Sequence, residues 1–80
     1  MGKIDKLITK MRNNPRDWKI EDIERIASYY GFKKRLTSGS HVTFQHPLLV
    51  EILTIPAHKP IKPIYIKKLL QLIDEVKNEA

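Results

Sequence analysis

The apolar positions along the chain keep two different periods, and the change from one to the other divides it. In residues 3–13, KIDKLITKMRN, Ile4, Leu7, Ile8 and Met11 recur at i, i+3, i+4 and i+7, the stripe of an amphipathic helix. Pro15 ends it, because a residue before proline (here Asn14) is pushed out of the helical region. Trp18 follows in a short connector. Residues 20–30 put Ile20, Ile23, Ile26, Ala27 and Tyr30 on one face, with Glu21, Asp22 and Glu24 early, where the helix dipole favours anions. Gly31 suits the position just past this second helix. The period then falls to two. FKKRL (32–36) runs into the turn cluster TSGS, HVTFQH (41–46) alternates, and VEILTI (50–55) alternates less cleanly before Pro56. AHKPIKP reads as a stiff basic loop. Pro63 fits the first turn of a last helix over 63–78, whose stripe is Ile66, Leu69, Leu70, Ile73 and Val76.

The predicted order is α-α-β-β-β-α. Short turns favour an antiparallel meander, and a three-stranded sheet needs helices over its apolar face. The expectation is therefore an α+β fold, with helices on one face of the sheet. Within 41–46, Val42, Phe44 and His46 share one face, and His41, Thr43 and Gln45 share the other. The second set is expected on the open side.

Size, composition and charge narrow the function. Eighty residues are expected to form one domain, and a core this small must be economical. With no cysteine there is neither a disulfide nor a thiolate metal site. The apolar runs are far shorter than the ~20 residues that span a bilayer, and the charged start MGKIDKLITK lacks the apolar stretch of a signal peptide. A soluble cytoplasmic protein with no membrane contact is the simplest expectation. The net charge is +6, unevenly spread: +2 over residues 1–31, +6 over 32–68 with Glu51 the one acid, and −2 over 69–80. A basic middle attracts polyanions such as RNA. It also serves solubility alone.

The candidate chemistry centres on histidine. His41, His46 and His58 have no ligand spacing for zinc, and His41 and His46 point to opposite faces of one strand. Ser38 and Ser40 lie near His41 without the strand-to-helix elbow of a serine nucleophile. The three glycines form no phosphate-binding loop, and no cofactor is expected. A histidine beside cations remains. Such a side chain ordinarily titrates near pH 6.5, so it can exchange protons at neutrality. RNA cleavage needs a base for the 2′-OH, a proton for the leaving 5′-oxygen and cations for the phosphoryl charge.

Several stretches together resemble the HicA family: GF (31–32), KKR (33–35), GSH (39–41), TF (43–44), HP (46–47), LTIPAHKPIKP (53–63) and the closing helix. The resemblance covers roughly residues 18–75 and leaves 1–17 as an additional helix and connector. HicA proteins are toxins of HicA–HicB toxin–antitoxin pairs and act as mRNA interferases. The resemblance implies a double-stranded-RNA-binding-like fold and metal-independent cleavage of mRNA. It also implies a HicB-type antitoxin as partner. The histidine of the GSH motif is taken as catalytic, which is His41 here, with Gly39 and Ser40 shaping its turn. His58 matches a later family histidine. Val42 departs from the common family form after GSH, at a position expected to face the core. Lys33, Lys34, Arg35, His58, Lys59 and Lys62 are the candidate RNA contacts, and Tyr29 is expected to pack rather than stack a base. Two other readings share this fold: a non-catalytic RNA-binding module, and a protein-interaction domain whose basic face meets an acidic partner.

Overall fold

Two aspartates start the first two helices in the same way. The structure, a computed structural model, describes residues 2–36, 39–57 and 61–79. Helix α1 spans Lys3–Asn13 and α2 spans Ile20–Tyr29. The Asp5 carboxylate accepts the Gly2 N–H at 3.3 Å, and Asp22 accepts the Lys19 N–H at 3.2 Å. Each thus satisfies a backbone donor and places an anion at the positive end of the dipole. Asn14 is extended before Pro15 and ends α1 as the sequence predicts. At the end of α2, Gly31 takes φ +86°. Its N–H reaches the Ser28 carbonyl, and the Phe32 N–H reaches the Ala27 carbonyl. This is a Schellman closure, and Phe32 then turns into the core.

Strands β1 (Lys33–Leu36), β2 (His41–Gln45) and β3 (Leu53–Pro56) form an antiparallel sheet in the order β1-β2-β3, and α3 (Pro63–Glu79) closes the chain. The α-α-β-β-β-α order and the α+β class are as expected. From α2 onward the order is that of a double-stranded-RNA-binding-like fold. The third strand differs from its predicted span, 50–55, and begins at Leu53, opposite Phe44. The chain leaves His46 through a tight turn in which the Leu49 N–H donates to the His46 carbonyl. The Val50–Ile52 stretch does not pair with β2, which ends at Gln45, and Glu51 there forms a partly exposed ion pair with Lys68 of α3.

Registers assign the two faces. Phe44 with Leu53, and Val42 with Ile55, face the helices and are buried. They join Ile23 and Ile26 of α2 and Ile66, Leu69, Leu72 and Ile73 of α3 in the core. Helix α1 belongs to the same core. Ile8 and Met11 are buried, Met11 completely, and Arg12 binds Asp74 of α3 at 2.6 Å. That ion pair is largely exposed and is worth about 0–1 kcal/mol, so apolar burial is what holds α1. The connector is fixed as well. The Trp18 indole N–H donates to the Asn14 carbonyl at 2.6 Å, and the Ile61 N–H donates to the Trp18 carbonyl. Among the described residues no helix is long and apolar enough to cross a membrane.

Candidate functional site

The face opposite the helices carries Lys33 and Arg35 from β1, His41, Thr43 and Gln45 from β2, and Thr54 and Pro56 from β3. His41 opens β2 directly after a turn in which Gly39 holds φ +57°, a left-handed backbone that glycine adopts without penalty. Among the described residues beyond its chain neighbours, no atom lies within 4 Å of where a Gly39 Cβ would stand, so the demand there is conformational. Ser40 is half-buried, and its carbonyl accepts the Ala57 N–H at 2.6 Å. This bond prolongs the β2–β3 pairing past His41 and fixes the backbone on which the imidazole stands. His41 itself is exposed, as its predicted face requires.

Thr43 departs from that expectation. It lies on the open face yet is 6% exposed. It occupies the middle of the central strand between Arg35 and Thr54, and its hydroxyl lies 3.3 Å from that of Thr54. The face is thus open at its two ends, His41 and Gln45, and closed at its centre. Thr54 joins the face through its register with Thr43. The alternation of 50–55 alone did not single it out, because its weight comes from the strand opposite.

The basic triplet divides by strand alternation. Lys33 and Arg35 share the face of His41. Arg35 sits opposite Thr43, diagonal to His41, which in ordinary sheet geometry is about 7–8 Å between Cα atoms. Lys33 lies opposite Gln45, further along the strand. Lys34 points to the helix side and binds Glu24 of α2 at 3.0 Å. Neither Lys33 nor Arg35 ion-pairs with a carboxylate among the described residues. Lys62 is exposed immediately before α3. His58 and Lys59 lie outside the described residues.

His46 has a different environment. Its Nδ1 accepts the Leu48 N–H at 3.1 Å, so the ring proton sits on Nε2, which donates to the Tyr30 carbonyl at 2.8 Å. The ring meets Phe32 edge-on with centroids 5.0 Å apart. It ties the end of α2 to the end of β2 and is structural. Tyr29 packs edge-on against Tyr30 yet stays 64% exposed.

No curated protein and no solved structure matches the chain. Residues 20–74 match the family model described as the HicA toxin of bacterial toxin-antitoxin systems. The matched range takes in α2, the sheet and most of α3, with Gly39, Ser40 and His41 inside it, and leaves α1 outside. The chain belongs to the HicA toxin family.

Proposed function

We propose that this toxin is an endoribonuclease that cleaves mRNA without a metal ion and is neutralised by a HicB-type antitoxin. The observation that carries the proposal is the exposed His41, held at a glycine turn on the one sheet face that also bears Arg35 and Lys33. His41 serves as general base toward the 2′-OH of the substrate. The oxyanion formed attacks the adjacent phosphorus, the bond to the 5′-oxygen breaks, and that oxygen takes up a proton. The products are a 2′,3′-cyclic phosphate and a free 5′-OH. Arg35 stabilises charge on the phosphoryl oxygens, and Lys33 holds a neighbouring phosphate. Gly39 and Ser40 position the imidazole. His58, Lys59 and Lys62 contribute further contacts on sequence grounds, and Lys34 contributes less because Glu24 already neutralises it. The antitoxin acts by covering this basic face, which blocks RNA and balances charge together.

The test compares the wild type with His41→Ala on a long RNA in EDTA, with RNA binding followed in parallel. Cleavage by the wild type alone, with binding retained by both, is expected. Equal binding with cleavage by neither would turn the reading to a non-catalytic RNA-binding module.

A further inference from the structure

One surface of this basic protein is unsuited to RNA. In the segment joining β2 to β3, Leu48, Val50 and Ile52 are 48%, 100% and 55% exposed. The segment that carries these side chains is tied down. The Leu48 N–H is bound to the His46 ring, the Leu49 N–H to the His46 carbonyl, and Glu51 to Lys68 of α3. Leu49 packs against the core. On the α3 side lies a hollow of about 370 Å³, lined by Leu48, Val50, Glu51, Glu75 and Asn78. Glu75 is half-buried there, and one of its carboxylate oxygens is buried with no hydrogen-bond partner among the described residues. A second hollow, of about 250 Å³, flanks the other side of Val50 and runs to Lys33 and Gln45 at the border of the RNA face.

These features point to a protein partner. The Glu75 carboxylate, in no ion pair among the described residues, repels phosphate, whereas exposed branched aliphatics gain from burial. The half-buried Glu75 carboxylate, one oxygen of which lacks a donor, is improved by a cation arriving from the hollow that it lines. The surface is also remote from His41, since five residues of strand separate His46 from it, about 17 Å at ordinary rise. We infer that the Leu48–Ile52 ridge and the Glu75 hollow form a clasp for the antitoxin. Its occupant is an antitoxin segment that sets an apolar side chain against Val50 and Leu48 and an Arg or Lys beside Glu75. The inference rests on the toxin–antitoxin reading. It adds that the antitoxin grips the toxin outside the RNA face as well as over it.

The test uses the full chain and the separately purified antitoxin. Affinity is measured by calorimetry for the wild type, for Leu48→Ser/Val50→Ser and for Glu75→Lys, with cleavage of a long RNA and thermal melting followed for each. Both variants are expected to bind the antitoxin at least tenfold more weakly while cleaving RNA within twofold of the wild type. The exposure of Leu48 and Val50 keeps the serine variant folded, so its result stands even if Glu75→Lys melts early. Antitoxin affinity within twofold of the wild type in the serine variant overturns the clasp. So does loss of RNA cleavage in a folded serine variant, which would assign the ridge to the substrate. Wild-type self-association that the serine variant disperses would make a second copy the occupant. A wild type that cleaves RNA but does not bind the antitoxin overturns the clasp together with the antitoxin part of the functional reading, and leaves the nuclease part standing. A wild type that does neither defeats the functional reading beneath it.

Discussion

His41 opens β2 and His46 follows its last residue, five positions on, and the two do opposite things. His46 falls on the helix side, where both ring nitrogens are engaged by backbone groups at 2.8 and 3.1 Å and Phe32 packs against the ring. His41 falls on the open side, exposed, with Arg35 diagonal to it. An odd separation on a strand is enough to send them apart. A histidine's work is set by the face it lands on. The helix face turns polar atoms into structural ties, because a buried donor or acceptor must be satisfied. The open face leaves a side chain accessible to a substrate.

The comparison breaks most readily at His41. His41→Ala is expected to lower RNA cleavage about 10²–10⁴-fold, the ordinary contribution of a general acid or base, and to leave the melting temperature nearly unchanged. Stopped assays on a long RNA beside calorimetric melting check both halves. His46→Ala is expected to do the reverse. Loss of two hydrogen bonds and the Phe32 contact should cost about 2–3 kcal/mol of stability, read by urea unfolding, with cleavage kept within a few-fold where the protein is folded. A large activity loss in a stable His46→Ala protein would remove the contrast.

Smaller effects sharpen it. Gly39→Ala must adopt φ +57°. With nothing among the described residues beyond its chain neighbours for its Cβ to strike, it should cost about 1–2 kcal/mol of left-handed strain. Where the turn relaxes to relieve that strain, His41 shifts and cleavage falls, with RNA affinity little changed. The smallest effects separate neighbours in the basic triplet. Lys33→Ala and Arg35→Ala should each weaken RNA binding and flatten its salt dependence by about one ion, whereas Lys34→Ala should alter neither beyond twofold. Titrations at several salt concentrations decide this. Equal salt effects at Lys33 and Lys34 would mean that the two faces do not differ toward RNA.

Much of this was legible in the sequence. The 3.6-residue stripes of α1, α2 and α3 are local consequences of helical geometry, as are the breaks at Pro15 and Gly31. The alternation in 41–46 assigned His41 and His46 to their faces without any knowledge of partners. The GSH stretch, with its flanking motifs, carried the family. These features depend on residues close together in the chain, so the sequence alone determines them.

Other features depend on what lies opposite, which no local pattern contains. The start of β3 at Leu53 is set by its register with Phe44, next to the end of β2 at Gln45. Thr43 is closed off because Arg35 and Thr54 flank it. Lys34 is tied to Glu24 while Arg35 remains on the His41 face. The exposed Leu48–Ile52 ridge became visible only once the neighbouring apolar residues had been assigned to the core. By itself the sequence determined the elements, the faces of β2 and the family. The tertiary structure alone decided which charges are neutralised and which apolar side chains are left in water, because both are settled by contacts between residues distant in the chain.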